Sequence, residues 1–231
     1  MAQNQGRTPG TPDATAEREP RPTHGPRPTP QIRPTHGPRP TPEIRPTREI
    51  QETPVTGATL WLTGLPSAGK TTIAYELAER LRAEGHRTEL LDGDEIREFL
   101  SAGLGFARQD RDTNVQRIGF VAELLASHGV LVLVPVIAPY ADSRDAVRER
   151  HQAAGTAYLE VHVATPVDVC SRRDVKGLYA KQAAGELSGL TGVDDPYEEP
   201  ESPDLRIESQ NQTVQESAAA VYALLTERGL A

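Results

Sequence analysis

The stretch "GLPSAGKTT", residues 64–72, decides the fold of this chain. It fits the pattern G-x-x-x-x-G-K-[ST] through Gly64, Gly69, Lys70 and Thr71, and it follows an apolar run and precedes a segment with helical periodicity. In this context the pattern indicates a phosphate-binding loop, or P-loop, between a strand and a helix. A turn that merely connects a strand to a helix requires neither the lysine nor the hydroxyl group at those two positions.

The chemistry of the loop suits a nucleoside triphosphate. Its glycines allow successive backbone amides and the helix N-terminus to point at phosphate oxygens. Lys70 can reach the outer phosphates, where we expect it to be catalytic, and the Thr71 hydroxyl can ligate Mg²⁺. We therefore predict ATP and Mg²⁺ as cofactors, with Thr71 as the metal ligand. The predicted nucleotide-binding residues are Gly64, Leu65, Pro66, Ser67, Ala68, Gly69, Lys70, Thr71 and Thr72.

Short apolar runs alternate with helical patterns from residue 56 to the end of the chain. The predicted strands are residues 59–63, 88–92, 130–137, 157–165 and 204–209. The predicted helices are residues 70–85, 95–103, 112–129, 143–152 and 213–228. This alternation predicts an α/β fold, a P-loop NTPase-type parallel sheet with helices on both faces. Ligands of such sheets bind at the carboxyl ends of the strands, where the P-loop also lies.

The N-terminal segment has a different character. Twelve of the 20 prolines lie in the first fifty residues, and "RPTHGPRPTPQI" (21–32) recurs as "RPTHGPRPTPEI" (33–44). Dense proline removes amide donors and favours extended polyproline II, so we predict a disordered Pro/Arg-rich repeat tail over residues 1–55. One domain, residues 56–231, remains. The tail could be a tether or a ligand for a module with an aromatic groove.

Composition limits the classes of function. The formal net charge is −8 although the tail is net positive, so the domain is acidic and lacks the basic face typical of nucleic-acid binding. The single cysteine, Cys170, excludes an internal disulfide or a multi-cysteine metal site and favours a reducing compartment. No run approaches the ~20 apolar residues of a membrane span. We expect a cytoplasmic protein with small-molecule substrates and neither nucleic-acid nor membrane partners.

The segment "LDGDEIR" places two carboxylates at the end of the second predicted strand, beside the P-loop. One of them, Asp92 or Asp94, could accept a proton from an acceptor hydroxyl group or hold Mg²⁺ through water. Arg97 lies about one helical turn beyond Asp94 and could bind an anionic substrate. The alternative is a solvated turn with a local ion pair of little energetic value.

A second polar segment, "GFARQDRDTNVQR", carries guanidinium and amide groups at three-residue steps. These groups belong to Arg111, Asn114 and Arg117 of a predicted helix, and Phe106 lies on the loop before it. An exposed face of this kind is usually only a helix surface. Together with Arg97, however, it could form a pocket for an acceptor that carries its own phosphate or sulfate.

Six segments, in this order and at these spacings, resemble adenylyl-sulfate kinase (APS kinase). They are "GLPSAGKTT", "LDGDEIR", "LGFARQDRDTNVQRIGFVAELL", "VIAPYADSRDAVR", "RDVKGLYAK" and "LTGVDDPYEEP", and the resemblance covers about residues 56–228. It implies sulfate activation: transfer of the γ-phosphoryl group of ATP to the 3′-hydroxyl of adenosine 5′-phosphosulfate (APS), giving 3′-phosphoadenosine 5′-phosphosulfate (PAPS). It also implies a homodimer.

The resemblance implies roles for individual residues. Asp94 matches the carboxylate near the reacting hydroxyl group, so it is predicted to be catalytic together with the P-loop lysine. Phe106 matches an aromatic ring that stacks on the acceptor adenine, and "RDVKGLYAK" matches a mobile lid. Arg97, Arg111 and Asn114 match residues that bind the phosphosulfate. The predicted acceptor-binding residues are Asp94, Arg97, Phe106, Arg111, Asn114, Ile137, Lys176 and Leu190.

Two positions depart from the family pattern. Ala138 stands where the family usually has a serine that is sometimes treated as a phosphoacceptor, but direct transfer from ATP does not need that hydroxyl group. Leu190 stands where the family usually has phenylalanine, so acceptor affinity could be weaker by about 0.5–1.5 kcal/mol. These departures leave open a kinase of the same fold with a different acceptor. They also leave open a weakly active scaffold in a sulfate-activation complex.

Overall fold

The computed structural model describes residues 56–231, and the predicted repeat tail lies outside these residues. Strands and helices alternate along the described chain. In order they are β1 (Ala58–Thr63), α1 (Lys70–Ala83), β2 (Thr88–Leu90), α2 (Gly93–Phe99), α3 (Arg108–Ser127), β3 (Leu131–Pro135), α4 (Ala141–Ala154), β4 (Ala157–Val163), α5 (Val167–Arg173), α6 (Leu178–Ala183), β5 (Leu205–Ile207) and α7 (Val214–Glu227).

The five strands form one parallel sheet in the order β2-β3-β1-β4-β5. The central strand is β1, in which Ala58 pairs with Leu131 of β3 on one side and with Ala157 of β4 on the other. Every residue of β1 is buried, as expected for a strand with helices over both faces of its sheet. The predicted α/β class with a P-loop-type parallel sheet is therefore confirmed.

Two apolar cores lie on the two faces of the sheet. In one core, Leu77 of α1 belongs to the same buried cluster as Val221 of α7. In the other core, Trp61 of β1 clusters with Ile118 of α3 and Val147 of α4. Both cores lie between the sheet and the helices that cover it, which leaves the loops at the carboxyl ends of the strands to carry polar groups.

Several elements differ in extent from the sequence prediction. The strand predicted for residues 88–92 ends at Leu90, because Asp92 then caps α2 by accepting the backbone amide of Asp94. The strand predicted for residues 130–137 ends at Pro135, which cannot donate to a sheet ladder. The short helices α5 and α6 lie in segments for which no helix was predicted.

Within residues 56–231, no helix is both long enough and apolar enough to cross a membrane.

Candidate active site

The P-loop wraps around the side chain of its own lysine. Lys70 is the first residue of α1, and its Nζ donates hydrogen bonds to the carbonyl oxygens of Gly64 at 2.9 Å and Leu65 at 2.8 Å. Gly64 has a positive φ, and a Cβ atom at this position would lie 2.5 Å from the carbonyl oxygen of Val163. Only glycine therefore permits the close approach of this loop to β4.

The ammonium group of Lys70 is held in a buried position. Burial lowers the pKa of Lys70 from 10.5 to about 8, and the nearby carboxylates of Asp94 and Asp92 partly oppose this change. A buried cation at the start of a helix creates a strong local preference for negative charge. Phosphate oxygens are the ligands that this end of the loop is suited to bind.

The P-loop is fixed by side chains from distant parts of the chain. The carbonyl oxygen of Ala68 accepts hydrogen bonds from Thr165 Oγ1 at 2.9 Å, Ser209 Oγ at 2.8 Å and Arg173 Nη1 at 3.2 Å. The hydroxyl group of Tyr179, on α6, donates to the carbonyl oxygen of Pro66 at 3.1 Å. These contacts connect the P-loop to the strand ends of β4 and β5, and they are not visible in the motif itself.

Thr71 and Asp92 form an oxygen-rich pair beside the lysine. Thr71 Oγ1 donates to Asp92 Oδ2 at 3.0 Å, while Asp92 Oδ1 accepts the Asp94 amide at 2.9 Å. The pair fits Mg²⁺, which is typically held by one or two protein oxygens together with substrate phosphates and water. Among the described residues no group of three or more His, Cys, Asp or Glu is placed to hold a metal ion. A magnesium ion here would accordingly need the phosphate oxygens of a bound nucleotide.

A cavity of about 700 Å³ extends from the P-loop across the carboxyl ends of the strands. Most of the predicted site residues line it: Pro66, Ser67, Gly69, Lys70, Thr71, Thr72, Asp94, Arg97, Phe106, Arg111, Asn114, Ile137, Lys176 and Leu190. The predicted loop residues Gly64, Leu65 and Ala68 do not line it. Their carbonyl oxygens accept the hydrogen bonds described above, which shape the loop, and their predicted contact with the nucleotide stays a prediction.

The end of the cavity away from the P-loop contains an exposed aromatic ring. Phe106 is 65% exposed, and the guanidinium carbon of Arg97 lies 4.5 Å from the centroid of its ring. Arg97 also donates to the carbonyl oxygen of Gly105 at 3.1 Å. The ring thus offers a flat apolar surface next to positive charge, an arrangement that suits an aromatic anion.

Arg111 connects two loops of the cavity. Its buried guanidinium group donates to Phe106 O at 2.7 Å, to Thr191 Oγ1 at 2.5 Å and to Gly189 O at 2.6 Å. A carboxylate oxygen of Asp195 lies 3.7 Å from Arg111 Nη2. The structure therefore gives Arg111 a role in holding these loops, and its predicted contact with the acceptor stays a prediction.

Asn114 and Arg117, which the sequence placed on the same face as Arg111, have different surroundings. Asn114 is 8% exposed and lines the cavity, and its Oδ1 atom is buried without a hydrogen-bond partner in residues 56–231. Such a group is available to a bound ligand. Arg117 is absent from the lining of the cavity and donates to the carbonyl oxygen of Leu100 at 2.9 Å. The suggestion that Arg117 belongs to the anion pocket is therefore wrong.

The segment after β3 forms another wall of the cavity. Three consecutive carbonyl oxygens of this segment each accept a hydrogen bond. Ile137 O accepts from Thr63 Oγ1 at 2.6 Å, and Ala138 O accepts from Arg144 Nη1 at 2.8 Å. Pro139 O accepts from the backbone amide of Glu198 at 2.8 Å. Ala138 has a φ of 41°, a conformation that residues other than glycine seldom adopt. The hydrogen bonds keep this strained backbone in place.

The segment predicted to be a lid lines the cavity through Val175, Lys176 and Leu178. Lys176 forms an ion pair with Asp94, although both side chains are more than half exposed. Asp174 and Gly177, on either side of Lys176, both have positive φ values, which makes a tight turn between α5 and α6. An exposed ion pair contributes little stability, so this contact can open at small cost.

Sequence reasoning missed one part of the cavity. Side chains after β5 also line the cavity, near Ala68 of the P-loop and Arg173 of the predicted lid segment, namely Ser209, Gln212, Thr213, Val214 and Ser217. The only signal was topological, because the loop after β5 lies at the carboxyl end of a parallel strand. These residues extend the site beyond the phosphates and provide room for the rest of a nucleotide.

A cavity with a P-loop lysine at one position and an arginine-flanked aromatic ring at another defines a P-loop kinase for a small anionic acceptor. The family model for adenylylsulphate kinase matches residues 56–208. The chain belongs to the adenylyl-sulfate kinase family, as its sequence motifs predicted.

Individual relatives agree with the family assignment. An adenylyl-sulfate kinase of Rippkaea orientalis is 50% identical over 175 residues, which cover 75% of this chain and 93% of that protein. One of Myxococcus xanthus is 51% identical over 174 residues, covering 75% and 94%. The solved structure of a Mycobacterium tuberculosis APS kinase in complex with AMPPNP and APS is 44% identical, with a TM-score of 0.73 over 75% of this chain and 99% of that chain.

Proposed function

We propose that this protein transfers the γ-phosphoryl group of ATP to the 3′-hydroxyl group of APS and so produces PAPS. The observation that carries the proposal is one continuous cavity in which the P-loop and the Phe106 ring with its neighbouring arginines both take part. Such a cavity can bring a phosphoryl donor and an aromatic, doubly anionic acceptor together. The related Mycobacterium tuberculosis enzyme, solved with AMPPNP and APS, supports the same pair of ligands.

The donor half binds ATP. Its phosphates lie against the backbone amides of the P-loop and the N-terminus of α1, where Lys70 neutralises charge that develops on the transferring group. The adenosine part extends toward Arg173 and the Ser209–Ser217 side of the cavity. Thr71 and Asp92 would hold Mg²⁺, Thr71 through its hydroxyl group, and the bound ion would neutralise charge on the phosphates.

The acceptor half binds and orients APS. Phe106 stacks on the adenine, and the guanidinium group of Arg97 and the side-chain N–H group of Asn114 bind the phosphosulfate group. Asp94 lies at the N-terminus of α2, beside the P-loop, and accepts the proton of the 3′-hydroxyl group as that oxygen attacks the γ-phosphorus in line. The proton leaves the acceptor oxygen as the new phosphorus–oxygen bond forms, and ADP departs with the electrons of the broken bond.

The lid excludes water from the reacting groups. Lys176 approaches both the Asp94 carboxylate and, within electrostatic range, the Lys70 ammonium group. When both substrates are bound, Lys176 can move from Asp94 to a phosphate oxygen, which releases the carboxylate for proton transfer. Exclusion of water at this step limits hydrolysis of ATP.

Three further assignments belong to this proposal. Residues 56–231 are the catalytic domain, and the proline-rich segment before them is a tether. The protein is a homodimer in the cytosol, which is compatible with its single and buried cysteine, Cys170. Light scattering during size-exclusion chromatography tests the oligomeric state, and a mass of one chain would contradict the dimer.

The function is tested by ADP release in a coupled assay with MgATP and APS, using adenosine 5′-monophosphate, shikimate and gluconate as control acceptors. Turnover that depends on APS alone is expected. If ATP binds but APS does not stimulate ADP release, the acceptor assignment is wrong and a kinase with another acceptor becomes the better proposal. Identical turnover by a version lacking residues 1–55 is expected if the tail is only a tether.

A further inference from the structure

Five residues behind the acceptor half of the cavity contact two of its walls. This strap, Asp194–Glu198, does not itself line the cavity. We propose that the strap is a positioning element for the acceptor, because it holds residues 189–191 (the Leu190 wall) and residues 137–141 (the Ile137 wall) in fixed relation to each other. The inference rests on the proposed function and extends it to residues that touch neither substrate.

The first half of the strap holds the Leu190 wall. The two carboxylate oxygens of Asp194 accept the backbone amides of Gly189 at 2.9 Å and Leu190 at 2.5 Å. The carbonyl oxygen of Asp195 accepts the amide of Gly192 at 2.7 Å, and Thr191 and Asp195 are paired as an isolated β-bridge. The backbone of the Leu190 wall therefore folds directly onto the strap.

The second half holds the Ile137 wall. The Glu198 amide donates to Pro139 O at 2.8 Å, and Glu198 Oε2 accepts the amide of Ala141 at 2.7 Å, where α4 begins. The guanidinium group of Arg144 donates both to Glu198 O and to Ala138 O, each at 2.8 Å. One side chain thus connects the strap to the strained residue of the wall.

Two tyrosines complete the connection. Tyr197 Oη lies 3.0 Å from Thr63 Oγ1, which in turn donates to Ile137 O at 2.6 Å. Tyr140 Oη donates to Asp195 Oδ2 at 3.1 Å. Neighbouring strap residues therefore reach different walls, so a shift of the strap changes the position of one wall relative to the other.

The strap has most of its contacts with the acceptor half. Its contact nearest the P-loop is that of Tyr197 with Thr63, the residue before Gly64. The hydrogen bonds to the P-loop carbonyl oxygens of Ala68 and Pro66 come instead from Thr165, Arg173, Tyr179 and Ser209, which are separate from the strap. Ala138 needs support from its surroundings because of its positive φ, and the strap together with Arg144 provides that support. Loosening the strap should accordingly weaken acceptor binding while the donor half keeps its geometry.

The test compares strap variants with matched variants elsewhere. Asp194→Asn replaces one carboxylate oxygen by an amino group that cannot accept a backbone amide, and Glu198→Ala removes the contact to Ala141. The controls are Asp168→Asn, on exposed α5, and Glu201→Ala, also exposed. We expect each strap variant to raise the KM for APS about 5- to 20-fold and to change the KM for ATP less than about twofold. The controls should match the unmodified protein.

A purely structural role predicts a different pattern. Equal changes of both KM values, or a lower melting temperature with an unchanged KM for APS, would overturn the positioning role. If a strap variant fails to fold, Tyr140→Phe is measured in its place, since it removes only the hydroxyl group that donates to Asp195 and should raise the KM for APS by about two- to fivefold.

Hydrogen exchange separates this inference from the proposed function. If the unmodified protein shows no APS-dependent turnover, the proposed function fails, and exchange without substrates then decides about the strap. Faster exchange at Gly189 and Leu190 in Asp194→Asn, and at Ala141 in Glu198→Ala, supports the strap. Unchanged exchange at those amides overturns it.

Discussion

The two halves of the cavity are constructed in opposite ways. In the donor half, one continuous stretch, residues 64–72, provides the loop, the lysine and the hydroxyl group. In the acceptor half, the lining comes from separate segments near residues 94–97, 106–114, 137–139 and 189–191. Local sequence therefore supplies the phosphate-binding groups of the donor half, whereas the segments of the acceptor half are brought together by tertiary hydrogen bonds. Substitutions at the two halves should affect different kinetic parameters.

The largest effect is expected in the donor half. Lys70→Ala removes the cation that stabilises the transferring phosphoryl group and should lower kcat by about 10²–10³-fold or more. The fold should persist, because a buried charge is replaced by a small apolar side chain. Steady-state ADP release and circular dichroism measure the two effects. Lys181→Ala, at an exposed lysine, is the control, and substantial turnover by Lys70→Ala would refute the catalytic assignment.

The second prediction concerns the acceptor half. Arg111→Ala removes three hydrogen bonds that hold Phe106 and the Gly189–Thr191 loop, so the KM for APS should rise about 10- to 100-fold. The KM for ATP should change only slightly. Arg117→Ala is the matched control on the same helix, because Arg117 lies outside the cavity. Equal effects of Arg111→Ala on both substrates would contradict the division of the cavity into two halves.

The sequence alone was sufficient to predict the P-loop between a strand and a helix, because the parts of this motif are contiguous. A strand, a glycine loop and a helix must follow each other for the amides to converge, and this order is visible in the letters. What the motif could not reveal is how the loop is fixed. The carbonyl oxygen of Ala68 depends on Thr165, Arg173 and Ser209, which are brought to it only by the order of β4 and β5 in the sheet.

The acceptor half shows the limit of reading a helix from spacing alone. Three residues fall about 60° short of a full turn of a helix, so two such steps move Arg117 well away from Arg111. Arg111 itself was expected to face an anion, yet its donors are directed to protein oxygens. Burial and hydrogen-bond partners, which spacing does not specify, decide between these roles. Ile137, Lys176 and Leu190, which line the cavity, were predicted from the family resemblance and not from residue patterns.

A third prediction uses pH to test the donor half separately. Burial lowers the pKa of Lys70 to about 8, so the ammonium group loses its proton as pH rises above that value. Phosphate binding requires the protonated form, so the Kd for ATP should rise about tenfold per pH unit above pH 8. Isothermal titration from pH 7 to 9.5 measures this change. Lys70→Ala should bind more weakly with little pH dependence, and a flat profile for the unmodified protein would exclude the perturbed lysine.

Protein stability should change with pH in the opposite direction. The pKa of Lys70 is below its ordinary value of 10.5 in the folded chain, so the unfolded chain binds more protons between about pH 8 and pH 10.5. The free energy of unfolding should therefore rise with pH in this window, relative to Lys70→Ala. An affinity for ATP that falls with pH while the free energy of unfolding rises would identify one buried lysine as the cause of both changes.

The smallest predicted effect concerns the affinity of the acceptor half for APS. Leu190 is 5% exposed and lines the cavity, and its substitution Leu190→Phe adds an aromatic face for the acceptor adenine. Stacking contributes about 0.5–1.5 kcal/mol, which corresponds to a KM for APS that is about two- to tenfold lower. The KM for ATP should stay the same. Leu124→Phe, at an exposed position of α3, controls for added apolar area.

A higher KM for APS in Leu190→Phe would mean that the Leu190 wall, held by Arg111 and Asp194, leaves no space for a ring. Acceptor affinity would then be limited by the position of the backbone and not by the missing aromatic group.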